Sequence, residues 1–421
     1  MKLFTRVTNR LIFPAANAYL TFQSARNWVR SWNKDETVIF ESDYDGQYVM
    51  LFVIYEKGNL RSDVKLFLEE AKAQNIFVVC VNTLKLAEPE RYRGLIDCYI
   101  ERYNYGRDFG SYQAGFEYVF KRNIEQQCPR LLMVNDSVFF SSKHNQKFLS
   151  EMFASNCEVL GATENHEIEH HLGSFCIAYS GAIVRNKKFR LYWQRYKNTD
   201  VRPVVIRRGE MGLSRVLRGI VSSPDNYRAL YDTTRAIECL TDDPELLNIL
   251  QDLSRTSQEH WDRYALSTVI KRISGRYLFN NYNLMGFFGD ELKISELDNF
   301  SLDFVVTLEA IADFFFKHLV NVEYDRILEV VRDEAISHFA ECFAKGSQIH
   351  QNNIFLHYVG LPIIKLDGLY RGILSVGDVG TIAADLEESQ VEDFRRIMLT
   401  RPYGGDVLYG WKRAAFYRGL I

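Results

Sequence analysis

Four polar clusters in this chain hold the residue types that chemistry needs, and each adjoins a run of strand-forming residues. They are Asn82-Thr83, Asn104-Tyr105-Gly106-Arg107-Asp108-Phe109-Gly110, Asn135-Asp136-Ser137 and His171-Leu172-Gly173-Ser174-Phe175. In the second, two glycines bracket an Arg and an Asp at a helix start. Glycine lets backbone approach a ligand closely, Arg107 supplies positive charge and Asp108 accepts hydrogen bonds from hydroxyls. The bland alternative is a helix N-cap, with Asp108 bonding its own backbone. In the third, one carboxylate, Asp136, beside an amide and a hydroxyl suits a Mg²⁺ or Mn²⁺ whose other ligands are phosphate oxygens and water. A plain turn uses the same residues.

Two familiar spellings fall away on their surroundings. Asp108-Phe109-Gly110 reads like the metal-binding triplet of protein kinases, but no glycine-rich loop, strand lysine or catalytic-loop pattern accompanies it. His166-Glu167-Ile168-Glu169-His170 fits HExxH, which makes a zinc hydrolase when two histidines share a helix face beside a general-base Glu, here Glu167. Gly161 and Gly173 flank a charged stretch between two expected strands and leave little room for such a helix. A zinc hydrolase is therefore the minor alternative.

Polar clusters at strand ends need a sheet to position them. The run 48–55 (YVMLFVIY), the helical pattern 63–74 and the run 76–81 (IFVVCV) make a strand, helix, strand unit. Further strands are expected at 95–100, 130–134, 157–163 and 175–184, with helices at 110–122 and 188–196. Alternation of this kind predicts an α/β fold with a mostly parallel sheet covered by helices on both faces, whose ligands bind beyond the carboxyl ends of the strands. After residue 229 apolar spacings of three and four predict helices at 244–253, 260–273, 302–319 and 324–343, with strand character returning between 354 and 364. The expected organisation is a basic arm (1–36), an α/β domain (37–228), a helical region (229–348) and a mixed segment packing on the α/β domain (349–421).

Of 421 residues, 47% are hydrophobic and 25% charged, which excludes a disordered or collagenous chain. Seven scattered cysteines without a CxxC pair argue against a cysteine zinc site and a disulfide framework, and favour a reducing cytoplasm. The most apolar early stretch, 11–25, contains Pro14 and polar residues and is too short to span a bilayer. It also lacks the features of a secretory signal, so residues 1–34 are expected to be retained. The net charge of −3 divides unevenly: 1–34 carry six bases and no acid, and the rest carries 45 bases against 54 acids. Interleaved with those bases are Phe22, Trp28, Val29 and Trp32, a mixture suited to anionic lipid headgroups, with a packed helical arm as the alternative. Nucleic acid fits poorly, because the remainder offers no second basic stripe.

Taken in order, the clusters resemble the rhamnan synthesis F family of glycosyltransferases. The resemblance rests on Asn104-Tyr105-Gly106-Arg107-Asp108, on the strand Leu131–Val134 with Asn135-Asp136-Ser137, on His171-Leu172-Gly173-Ser174-Phe175, where Gly173 replaces a usual Gln, and on Gly209-Glu210-Met211-Gly212-Leu213-Ser214-Arg215. It spans 95–220, with a looser echo over 350–372 at Pro362-Ile363-Ile364-Lys365, near Asn352, Asn353 and His357. It implies a GT-A-like, inverting transfer, with rhamnose the sugar the family name suggests, from a nucleotide-sugar donor to a lipid-linked glycan acceptor at the inner membrane face. It also implies roles: Asn82 near the nucleotide base, Asn104, Gly106, Arg107, Asp108 and Asn135 around the donor, and Asp136 at a Mg²⁺ or Mn²⁺. Glu210 would be the base at the acceptor hydroxyl, with His171, Ser174, Arg207 and Arg208 in the second half of the site. The rival from another class is a non-catalytic sugar-nucleotide or glycan-binding component of a synthesis complex.

Overall fold

The computed structural model describes residues 2–253, 264–274, 307–318, 322–400 and 403–421. Residues 1–230 and 360–421 form one compact unit, and 231–359 form another.

The first unit is built on an eight-stranded sheet. Its strands are β1 (Thr37–Glu41), β2 (Val49–Ile54), β3 (Phe77–Asn82), β4 (Cys98–Glu101), β5 (Arg130–Asn135), β7 (Val159–Gly161), β10 (Cys176–Ser180) and β11 (Tyr227–Ala229). Four short strands lie outside it: β6 (Val138–Phe140) pairs with β12 (Ile363–Lys365), and β8 (Glu164–Asn165) with β9 (His171–Leu172). The sheet order is β1-β4-β3-β2-β5-β10-β7-β11, and four of its seven pairings are parallel. The expected α/β class with a mostly parallel sheet is thus what forms.

With both faces covered, period-two alternation makes β2 apolar throughout and β3 and β5 apolar except at their ends, Asn82, Arg130 and Asn135. Val49, Leu51, Val53, Val79, Leu131 and Met133 join one core with Phe109, Phe116 and Trp193, which come from helices Arg107–Lys121 and Lys187–Arg195. On the opposite face Phe52 meets Phe67 of helix Ser62–Ala73, and Phe67 stacks on Phe140 at 4.1 Å. Each fully buried aromatic or Leu side chain here stabilises the fold by about 1.5–3 kcal/mol.

Some expectations need correction. The stretch 175–184 is not one strand: Ser180 caps a helical turn, Gly181–Val184, by accepting the Ile183 N–H. Strand β1 and the short strands β6, β8, β9 and β11 went unread, because two to five residues carry too little periodicity. In the tail, Glu388–Leu399, Gly404–Val407 and Gly410–Phe416 are helices.

Helix Lys2–Ser31 docks by one face on the first unit. Ala16 packs with Ala415 and Leu420, the Ser24 hydroxyl accepts the Asp200 N–H at 2.9 Å, and the Asn27 amide donates to Asp200 Oδ2 at 2.9 Å. The other face exposes Phe22, Val29 and Trp32.

The described residues of 231–359 are largely helical, including Thr233–Asp242, Leu266–Ile273, Leu308–His318 and Tyr324–Phe343. The expected helices at 260–273 and 302–319 fall partly outside the described residues. The strand character expected between 354 and 364 reduces to β12, since Asn353–Tyr358 is a helix whose Phe355 ring sits 4.8 Å from that of Phe339. That contact groups 349–359 with the helices instead of with the segment that follows. Among the described residues, no helix is long and apolar enough to cross a membrane.

Candidate active site

Strands β4, β3, β2 and β5 run parallel, so their carboxyl ends lie along one edge. β10 is antiparallel to β5 with Cys176 opposite Val134, which brings the residues preceding β10 to that edge as well. The chain steps from β2 to β3 on one side, and β5 flanks β2 on the other. A crevice at such a switch point is where open α/β sheets bind ligands.

Asp136 occupies this switch point. Its Oδ2 accepts the Tyr55 N–H at 2.7 Å, and its backbone carbonyl accepts from Arg61 Nη1 at 3.1 Å. Burial pushes its carboxyl up to about 6, against the pull of Arg61 and the Tyr55 N–H. Glu56 lies alongside, 3.4 Å from Arg61, and burial outweighs that guanidinium to raise it to about 8, with Asp136 adding to the rise. At neutral pH Glu56 therefore keeps its proton. Asn82 supports this corner from beneath: it accepts from the Glu56 and Leu84 N–H groups and donates to the Glu56 carbonyl and the Tyr99 hydroxyl. Fully buried, it holds the turn after β2 and has no amide group to offer a nucleotide base, contrary to the expectation for it.

A second cluster forms on the other side of Asn135. The Asn135 amide donates to Asp108 Oδ2 at 3.3 Å, and its oxygen accepts from the Ser137 hydroxyl at 2.7 Å. Asp108 is not a cap. The helix Arg107–Lys121 is entered through Gly106, left-handed at φ +88°, and the cap position makes no side-chain hydrogen bond. Arg107 is left-handed too, at φ 53°, a conformation that costs a non-glycine residue about 1–2 kcal/mol and is concentrated at functional sites. Asp108 is exposed at the mouth of the cleft; the surrounding protein still pushes it above the usual carboxylate range by desolvation, with Arg107 and Lys365 pulling it down and Glu210 pushing it up. Arg107 and Asn104 are exposed and line a cavity of about 300 Å³ with Asp200 and the N-terminal helix.

Glu210 closes a π-helical turn, Ile206–Glu210, inserted between helices Arg202–Val205 and Met211–Arg218. Such turns recur at functional sites. It is therefore mid-helix, not an N-terminal carboxylate. A Cβ on Gly209 would stand 2.7 Å from the Phe109 ring, so glycine is what allows this turn to approach the helix bearing Asp108. Glu210 Oε2 lies 3.4 Å from His171 Nε2, and the Ser174 hydroxyl donates to Oε1 at 3.1 Å. Burial opposes its ionisation, but His171, Lys365 and Ser174 outweigh burial and hold it below the usual range. His171 is only 3% exposed and burial would lower it, yet Glu210 and the Glu169 carbonyl raise it. Both ring nitrogens of His171 face acceptors, the Glu169 carbonyl and the Glu210 carboxylate, and that carboxylate keeps 28% of its surface open.

Of the expected site residues, the fold gathers Asp108, Asn135, His171, Ser174 and Glu210, with Asp136 at the adjacent switch point. It does not bring Arg207 and Arg208 to them. Both are exposed and face a groove of about 830 Å³ lined by Tyr192, Arg195 and Arg215, because the π-turn that points Gly209 and Glu210 inward sends Arg207 and Arg208 outward. Nearby positive charge comes from Lys365, whose Nζ lies 3.4 Å from Ser137 Oγ and 4.3 Å from the Phe175 ring centre. Lys365 arrives because it pairs with Val138 across β12 and β6, directly after the Asn-Asp-Ser triplet. Its segment was marked only by the looser family echo at Pro362-Ile363-Ile364-Lys365, and nothing in its local pattern pointed to this site. Glu56, immediately after β2, could have been found by the strand-end rule.

The HExxH spelling makes no helix. Residues 166–170 connect β8 to β9, and Glu167 is exposed on that loop, so the geometry of a zinc hydrolase is not formed.

The family described as rhamnan synthesis protein F has a model that matches residues 76–248, which bears out the resemblance drawn from the motifs. An uncharacterized protein, y4gN, of Sinorhizobium fredii is 29% identical over 171 residues, 39% of this chain and 44% of that protein. Virulence protein VirA of Vibrio anguillarum is 31% identical over 84 residues, 20% of this chain and 26% of that protein. The matches thus span less than half the length of these curated relatives. A crystal structure of S. aureus TarS 1–349 aligns with 70% of this chain and 89% of its own, at 11% identity and a TM-score of 0.28.

Proposed function

We propose that this chain is an inverting glycosyltransferase that moves a sugar, rhamnose in first place, from a nucleotide-sugar donor to a glycan acceptor. The observation that carries the reading is the meeting of Asp108, Asn135, Lys365 and an ionised Glu210 at the strand ends, within and beside the stretch that the family model matches. In the proposed reaction an acceptor hydroxyl attacks the anomeric carbon from the face opposite the diphosphate. The new carbon–oxygen bond forms as the sugar–phosphate bond breaks, the electron pair leaves with the diphosphate, and Glu210 takes the hydroxyl proton. Asp108 and Asn135 would hold sugar hydroxyls, and Lys365 with Arg107 would offset the charge that develops on the leaving group. His171 and Ser174 fix the direction of the Glu210 carboxylate.

A Mg²⁺ or Mn²⁺ would be held by Asp136. At Asp136 the protein offers one buried carboxylate whose Oδ2 already accepts the Tyr55 N–H, with the Arg61 guanidinium beside it opposing a cation, so phosphate oxygens and water would have to supply most of the ion's shell. When bound it would add positive charge at the diphosphate. The outward face of helix Lys2–Ser31, with Phe22, Val29 and Trp32 beside Arg26 and Arg30, would rest on anionic lipid and bring a lipid-linked acceptor to the enzyme.

The deciding experiment is a screen of nucleotide sugars against the purified chain, read by thermal shift, donor hydrolysis and transfer, with and without a chelator. One donor should stabilise the protein and turn over, and turnover should fall with the chelator. A donor that binds without turnover under every condition would make the chain a binding component instead. For the helix, replacing Phe22, Val29 and Trp32 together by Ser should reduce sedimentation with anionic vesicles while transfer to a soluble acceptor stays near normal. Unchanged sedimentation would remove the lipid-facing role.

A further inference from the structure

The loop that fails as a zinc-hydrolase helix builds a different arrangement. In the β8–β9 hairpin Glu164 stands opposite Leu172 and Asn165 opposite His171. Successive side chains of a strand point to opposite faces, so His171 turns in toward Glu210 while His170 turns away. On that outer side His170 Nε2 lies 2.8 Å from Glu164 Oε2, and His166 Nε2 lies 3.5 Å from Glu164 Oε1. Among the described residues, these are the one group of three metal-ligating side chains whose ligand atoms all fall within 4.8 Å of one another. The imidazoles are parallel, with 4.6 Å between ring centres and 6° between planes, and His170 is braced edge-on by Tyr227 at 5.6 Å. Tyr227 in turn accepts the Leu172 N–H at 3.2 Å.

Tetrahedral bonds of about 2.0–2.1 Å separate ligand atoms by about 3.3 Å; the two imidazoles now contact different oxygens of Glu164, so a small rotation of these side chains, all within 4.8 Å, would bring both nitrogens and one oxygen around a single ion. Two imidazole nitrogens and a carboxylate favour Zn²⁺ and neighbouring divalent transition ions over Mg²⁺ or Ca²⁺, which prefer oxygen alone. We propose that Glu164, His166 and His170 bind one such ion, Zn²⁺ in first place, and that it clamps the hairpin that carries His171 to Glu210. The ion is structural: Glu167, which a zinc hydrolase would use as its base, stays on the exposed loop. Neither the ligand set nor the clamp depends on the transferase reading, since both are measured without donor or acceptor.

The test uses the full chain stripped with a chelator, incubated with Zn²⁺ and desalted, with metal content read by plasma mass spectrometry. About one zinc per chain should remain, by the three-ligand stoichiometry of such sites. Co²⁺ in its place should give strong visible absorption of a four-coordinate ion, and excess Mg²⁺ should displace neither. The double variant His166→Ala/His170→Ala should retain only background zinc, and Glu164→Gln, which keeps the shape, should weaken retention, with circular dichroism confirming that each is folded. Zinc should also slow amide exchange over residues 164–172. Equal zinc in wild type and the folded variants, or none in wild type, overturns the site. Stoichiometric zinc without slower exchange overturns the clamp.

Discussion

Two carboxylates near the end of β5, Glu56 beside Asp136 and Glu210 beside Asp108, are treated in opposite ways by their surroundings. Glu210 meets His171, Lys365 and Ser174, and these outweigh burial to leave it ionised. Glu56 meets one cation, Arg61, which is already engaged by both carboxylate oxygens of Asp63 at 3.0 Å, and burial wins, so it stays protonated to about pH 8. The lesson is that proton affinity here follows from how many uncommitted cations reach the group, not from depth alone. Environments that push neighbouring carboxylates apart are how one site separates a base from a group that donates a hydrogen bond.

The largest expected effect comes from removing the ionised carboxylate. Glu210→Gln keeps shape but cannot accept a proton, so turnover should fall by about 10²–10⁴-fold while donor binding by calorimetry stays close to wild type. Near-normal transfer would remove Glu210 from the base role and dissolve the contrast. Next, Lys365→Met removes the cation that reaches the cluster across β12 and β6. Turnover should drop by roughly 10²-fold with an unchanged melting temperature at neutral pH, and an activity loss matched by unfolding would assign Lys365 to structure alone.

His171→Gln sharpens the comparison through its sign. Glu210 is held down partly by His171, so its deprotonated form, and with it kcat/KM, should persist to lower pH in the wild type than in the variant. The acid limb of the variant should move to higher pH, and a superimposable profile would mean that Glu210 is not the titrating base. The smallest effect belongs to the protonated side. With Glu56 raised to about 8 in the fold from its ordinary 4.5, the folded state binds more protons between those values. The stability this gives is complete below 4.5 and is lost as pH rises toward 8, by at most about 1.4 kcal/mol per pH unit. Glu56→Gln should flatten that decline in urea titrations across pH 5–8. An identical slope would show that Glu56 ionises freely and that both carboxylates behave alike.

The sequence by itself determined the elements and the edge. The runs at 48–55, 76–81 and 130–134 announce buried strands because local apolar periodicity is written in consecutive residues, and the helices at 107–121 and 324–343 follow from the same property. Parallel strands then force their carboxyl ends together, which is why the clusters carrying Asp108 and Asn135 could both be assigned to the ligand-binding edge from the sequence. Tertiary structure alone decided the rest. Lys365 reaches Ser137 across 228 residues through a three-residue strand pair, Glu164 displaces Glu167 beside His166 and His170, and one π-turn sends Glu210 inward while it turns Arg207 and Arg208 away. None of these has a local pattern, because each depends on a pairing register or a single turn, where a shift of one residue exchanges the inner face for the outer.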